Sequence, residues 1–167
     1  MNVETLPQRL AALHADAFGW ARHCCRGDTS MAEEVMQNAY LKCLQGKLRE
    51  PDPTGLKPWW LEVIRLTALE EWRRRQFRWS RRILSVEDEH VDPATERIEL
   101  DEEAARLQAL VARLPARQGE VLHLVFYQGL SLAEAALVMR VRIGSVRRHY
   151  ERGKARLREW LQEEKSE

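Results

Sequence analysis

The side chains of this sequence best equipped for chemistry are arginines, and they come in two dense runs. Between Arg65 and Arg82 there are seven arginines against Glu70 and Glu71, and between Arg140 and Arg158 there are eight arginines or lysines against Glu151. Guanidinium groups at that density hold phosphate by charge and by forked hydrogen bonds, and they bond bidentately to guanine edges. Between the two runs, from Val86 to Glu103, nine acids stand against Arg97. The formal net charge of +1 therefore hides a strong segregation. Two basic blocks separated by an acidic one read as two anion-binding surfaces and a solvated connector.

No rival constellation points to catalysis. The sequence holds no Gly-rich phosphate loop, no paired metal-ligand motif and no nucleophile with a positioned base, and His14, His23, His90, His123 and His149 are scattered. His23, Cys24 and Cys25 are adjacent, a poor spacing for a structural zinc site. With Cys43 they read as small side chains of a helical interior in a reducing compartment. No enzymatic activity, cofactor, metal or small-molecule substrate is expected. Nor is a secretory signal or a membrane span, so the expected location is cytoplasmic.

The elements that must position the arginines are helical. Only 8 glycines and 6 prolines occur in 167 residues, and no alternating strand pattern is present. Leu10, Leu13, Ala17, Trp20, Ala21 and Cys24 predict one helix over 6–25. Ser30 with Glu33 predicts a capping box opening a second, with Ala32, Val35, Met36, Ala39, Tyr40 and Cys43 as its stripe, closed by Gly46. Pro51, Pro53, Gly55 and Pro58 mark a stiff loop. A third helix runs from Trp59 into the arginines, with Trp60, Val63, Ile64, Thr67, Ala68 and Trp72 on its apolar side. Helicity returns before Arg113, and Pro115 is placed at the first position of the next helix.

The most informative stretch begins at Gly129. Ser131 and Glu134 form a second capping box, a short apolar helix follows through Ala135, Ala136, Val138 and Met139, and Arg140–Ile143 interrupts it. A basic helix then starts near Gly144–Ser145. Val146, Tyr150, Gly153 and Leu157 share one face, while Arg147, Arg148, Glu151, Arg152 and Lys154 point elsewhere. This is the division of a helix-turn-helix: the inner face fixes the recognition helix, and the outer face enters the major groove.

The run Leu114-Pro115-Ala116-Arg117-Gln118-Gly119-Glu120-Val121-Leu122, then Gly129 to Ala136, then Gly144 to His149, resembles region 4 of the extracytoplasmic-function (ECF) group of sigma-70 factors. Residues 32–41, Ala-Glu-Glu-Val-Met-Gln-Asn-Ala-Tyr-Leu, are similar to the region 2 helix that docks on the polymerase β′ subunit. Trp59-Trp60-Leu61 through Ile64 and on to Trp72-Arg73-Arg74-Arg75 is similar to the −10 recognition segment. Thr67 stands where the family usually has Asn, Glu71 where it has Asp, Arg142 where it has Pro, and Asn38 where an acid is usual.

The resemblance implies an all-α protein of two small helical domains joined by a short acidic linker: region 2 over 6–82, linker over 83–105, region 4 over 106–161. It implies an initiation factor that binds core RNA polymerase (β and β′ subunits) and promoter DNA, melts the −10 element, and is held inactive by an anti-sigma factor. Core-binding residues would be Glu33, Glu34, Val35, Gln37, Asn38 and Leu41. Lys57, Trp60, Arg65, Thr67, Glu71, Arg73, Arg74 and Arg75 would meet −10 DNA, with the 47–58 loop as a pocket for a flipped base. Trp60 and Trp72 also fit the helix's core side, and Trp79 is the better exposed contact. For −35 DNA, Arg147, Arg148, Glu151 and Arg152 would read bases, with Arg142, Ser145 and Lys154 nearer phosphates. The alternative is a stand-alone helix-turn-helix regulator binding its operator as a dimer.

Overall fold

A computed structural model describes residues 4–49, 51, 55–82 and 102–166 of the chain. Among them every regular element is helical, in the order α1 (Leu6–Ala11), α2 (His14–Cys24), α3 (Thr29–Leu44), α4 (Leu56–Arg82), α5 (Glu102–Arg113), α6 (Ala116–Leu122), α7 (Leu132–Met139) and α8 (Ile143–Ser166). A π-helical turn, His123–Tyr127, follows α6 directly. The chain divides into two compact units, the first holding α1 to α4 and the second α5 to α8. Of the acidic stretch 83–105, residues 83–101 lie outside the described residues, and Glu102 onward is already helical.

In the first unit α2, α3 and α4 pack around Trp20, Met31, Val35, Trp60, Leu61 and Ile64, all nearly or wholly buried. The helix predicted over 6–25 is in fact two. Leu13 N–H bonds back to Leu10 at 3.0 Å, a three-residue closure that tightens the turn between α1 and α2. After α2 the backbone takes two consecutive left-handed residues, Arg26 (φ 54°) and Gly27 (φ 84°). The second needs glycine to avoid a Cβ clash. They turn the chain so that Asp28, not Ser30, caps α3: its carboxylate accepts from Met31 N at 2.9 Å. An Asp two residues ahead of the predicted cap wins because its charge also complements the helix dipole.

Helix α4 begins at Leu56, three residues earlier than Trp59, because Pro58 is tolerated within a first turn. Two indoles stitch it to α2. Trp20 Nε1 donates to Leu61 O at 2.9 Å, and Trp72 Nε1 donates to Cys24 O at 3.1 Å, satisfying a carbonyl orphaned at the end of α2. The second unit is built on Leu110, Val111, Leu114, Leu122 and Leu157, with Tyr150, Trp160 and Leu161 at its margin. Pro115 is the residue before α6 rather than its first, and its carbonyl accepts from Gln118 N and Gly119 N. Gly153 lets α8 lie close on α6: a Cβ there would sit 3.0 Å from Leu122 Cδ1.

Candidate nucleic-acid interface

The helix-turn-helix is assembled locally. Ser131 Oγ accepts from Glu134 N at 3.1 Å while the Glu134 carboxylate accepts from Ser131 N at 2.7 Å, so the box predicted from sequence closes in both directions. At the far end Arg140 is left-handed (φ 53°), and Val141 N bonds back across it to Ala136 O at 3.2 Å. Arg142 O then accepts from Ser145 N and Val146 N, starting α8. Along α8, Val146, Gly153 and Leu157 are buried and Tyr150 is half-buried. Arg142, Arg147, Arg148, Glu151 and Arg152 are exposed, and Ser145 is half-buried beside them. Lys154 is drawn aside: its ammonium pairs with Glu151 at 3.1 Å and lies 4.3 Å from the Tyr150 ring centroid. The outward row is thus arginine-rich, and its one carboxylate, Glu151, is paired with Lys154.

In the first unit the candidate residues separate by burial. On α3, Glu33, Glu34, Gln37 and Leu41 are exposed and Asn38 is half-buried, whereas Val35 is wholly buried in the core. Leu44, one turn beyond Leu41, is 67% exposed, so the outward stripe runs from acid to apolar. On α4, four of the eight −10 candidates have no surface to offer. Trp60 is in the core, Arg65 and Thr67 are buried, and Glu71 keeps only 3% of its surface. Thr67 Oγ1 donates to Val63 O at 2.7 Å and accepts from Lys42, which also pairs with Glu70 at 2.7 Å; the residue ties α3 to α4. Lys57 is half-buried and paired with Asp16 at 3.0 Å.

Glu71 is a hub. Its carboxylate accepts from Arg75 Nε at 3.2 Å and Arg78 Nη2 at 3.1 Å, and Arg74 stands at 3.6 Å. Arg75 also reaches Asp28 and Glu34 at 3.3 and 3.4 Å. Burial pulls the Arg75 guanidinium down, but the bond to Glu71 and the charges of Asp28 and Glu34 outweigh it, so its pKa lies above the ordinary value. Arg75 is thereby a bracket between α3 and α4, leaving Arg73 and Arg74 as the exposed members of the triplet. Sequence reasoning passed over Arg78 and Arg81 as named contacts, although both are exposed arginines of the same run. Trp79 is 64% exposed, in keeping with the reading from sequence, and Trp72 is half-buried against Arg26.

The cysteines form no cluster of metal ligands among the described residues. Cys25 is fully buried. Burial, with Asp28 adding to it, pushes its thiol up to about 12, the environment of an inert side chain.

The second unit is a capped helix-turn-helix whose second helix presents an exposed arginine row. Residues 104–157 match the family "Sigma-70, region 4". A probable RNA polymerase sigma factor, RfaY, of Xanthomonas campestris pv. campestris is 26% identical over 140 residues, 80% of this chain and 35% of that protein. The chain thus spans about a third of the length of that curated relative. The fold is also that of the sigma factor RpoE, solved in complex with the anti-sigma factor NepR from Bartonella quintana. The TM-score is 0.71 at 22% identity, over 96% of this chain and 98% of that one. Residues 104–157 thus match the sigma-70 region 4 family, and the chain as a whole has the fold of a two-domain sigma factor.

Proposed function

We propose that the chain is a transcription initiation factor that lends core RNA polymerase its promoter specificity. The second unit (106–161 in the proposed division) reads the −35 duplex, and the first (6–82) docks on polymerase and holds the separated −10 strand. The observation that carries this reading is the outward row Arg147, Arg148, Glu151 and Arg152 on a helix locked from behind by Val146, Gly153 and Leu157. Such a row reads sequence only if the helix behind it cannot roll.

Docking on polymerase falls to the exposed stripe of α3: Glu33, Glu34, Gln37, Leu41 and, at its margin, Asn38. The −10 surface is narrowed to Arg73 and Arg74, with Lys57 near the loop ahead of α4. Nothing in this function calls for a catalytic step or cofactor; the work is differential binding of duplex and separated strands. The RpoE relative was solved with an anti-sigma factor, and a proteinaceous inhibitor of that kind is the regulatory partner proposed here. Among the described residues no helix is long and apolar enough to cross a membrane.

Gel filtration with bacterial core polymerase tests the reading. Gln37→Arg and Leu41→Arg are better probes than a change at Glu34, because Glu34 also pairs with Arg75 inside the unit. Stoichiometric co-elution, lost in both variants, is the expected result. A chain that ignores polymerase yet binds duplex DNA tightly as a dimer would instead be a stand-alone regulator.

A further inference from the structure

Arg75 holds three carboxylates, and they differ in what else they do. Its Nε donates to Glu71 at 3.2 Å, Nη1 to Asp28 at 3.3 Å and Nη2 to Glu34 at 3.4 Å. Glu71 is buried in its own helix, and Asp28 is committed to the cap of α3, where its other oxygen accepts from Met31 N at 2.9 Å. Both are fixed parts of the first unit. Glu34 is not: its side chain is 53% exposed, and it stands on the outward stripe of α3 beside Glu33 and Gln37.

The Arg75–Glu34 pair therefore lies between two surfaces that serve different partners. Glu34 belongs to the stripe proposed to dock on polymerase. Arg75 lies between Arg74 and Arg78, which are exposed and face the same Glu71 carboxylate. A carboxylate on a guanidinium edge takes the place that a phosphate oxygen would take, because the fork of N–H donors matches either group. While Glu34 keeps that place, the chain offers one phosphate-binding edge fewer. An ion pair so exposed is weak enough to exchange. A basic side chain of a docking partner that captures Glu34 frees Nη2, and Glu71 and Asp28 still hold Nε and Nη1 in place.

We infer that Glu34 is an exchangeable block on Arg75, released when α3 docks on polymerase, so that docking raises the chain's affinity for a phosphate backbone. This coupling rests on the proposed docking and strand-holding roles and adds the physical connection between them. It is also reciprocal: a strand bound at Arg75 must tighten docking by the same factor.

Fluorescence anisotropy of the full chain with a labelled mixed-sequence single strand of about 12 nucleotides, at low salt, tests the block. Glu34→Asp keeps the charge and withdraws the carboxylate by one methylene, whereas Glu34→Gln removes the charge. Each should bind the strand roughly 1.5- to 5-fold more tightly than the wild-type chain. Neither gain should survive in an Arg75→Gln background, and both should shrink with Arg75→Lys, whose ammonium lacks the fork that spans three carboxylates. A gain from Glu33→Gln, a neighbour not paired with Arg75, should be the same in every background. Saturating strand should tighten the binding of the wild-type chain to core polymerase more than that of Arg75→Gln.

A Glu34→Asp chain that binds the strand like the wild type overturns the inference, because any gain from Gln is then bulk charge. A gain that persists in both Arg75 backgrounds overturns it, as do Glu34 variants that bind no strand, or equal tightening on polymerase in the wild-type and Arg75→Gln chains. Co-elution lost in Gln37→Arg and Leu41→Arg reports separately on the proposed function. A chain that co-elutes but shows no Glu34 effect loses only the coupling; a chain with the Glu34 effect that fails to co-elute loses the initiation-factor reading.

Discussion

Replacing Glu71 by Gln keeps the shape of the side chain and removes its charge, which separates a structural hub from a base-reading group. The carboxylate accepts two charge-assisted hydrogen bonds, from Arg75 at 3.2 Å and Arg78 at 3.1 Å, and attracts Arg74 at 3.6 Å. Two such bonds bound the loss at roughly 3–6 kcal/mol. The Gln amide oxygen still accepts one bond, and the three guanidinium groups are 33–64% exposed, so water recovers much of their solvation. About 1–2 kcal/mol remains. For a unit of this size each kcal/mol moves the midpoint by about 4–8 °C, so a fall of roughly 5–15 °C is expected. Five of the six tryptophans, all but Trp160, precede residue 83, so tryptophan fluorescence during heating reports chiefly on the first unit. An unchanged midpoint, together with a changed base preference in the −10 strand, would refute the reasoning and return Glu71 to the role expected from sequence.

Further outcomes are expected. Ser131→Ala removes the bond to Glu134 N and should cost the second unit roughly 1 kcal/mol, seen as faster amide exchange along Leu132–Met139. Gly153→Leu forces atoms into the 3.0 Å approach to Leu122 and should destabilise the second unit by roughly 1–3 kcal/mol, with the fluorescence midpoint of the first unit unmoved. Cys25, with its thiol raised to about 12 chiefly by burial, should be alkylated by iodoacetamide at mildly alkaline pH far more slowly than Cys24 or Cys43. The same shift makes the native state hold a proton that the unfolded thiol gives up near pH 8.5, so Cys25's contribution to stability is full below that pH and declines up to about 12. Arg148→Ala should cost −35 duplex binding roughly 1–3 kcal/mol and relax preference at one base pair, whereas Lys154→Ala should weaken all sequences alike.

The sequence alone determined what periodicity and caps can specify. Val146, Gly153 and Leu157 recur at helical spacing, so the inner and outer faces of α8 are legible in the order of the residues, as is the reciprocal cap of Ser131 and Glu134. These are local signals, set by 3.6 residues per turn and by hydrogen bonds three residues apart. Charge sign is legible too.

Only tertiary structure decided which polar residues of α4 face outward. Thr67 shares the apolar side of the helix, but Arg65 and Glu71 are charged types that a solvent face would tolerate, and the sequence does not say that they are buried. Their burial follows from partners distant in the chain: Lys42 on α3 for Thr67, and Asp28 and Glu34 for the Arg75 that binds Glu71. Phe77 is the converse, an apolar residue opposite Ala68 on the helix that keeps 60% of its surface. Periodicity assigns a residue to a face of its own helix; whether that face meets protein or water depends on where the neighbouring helices end.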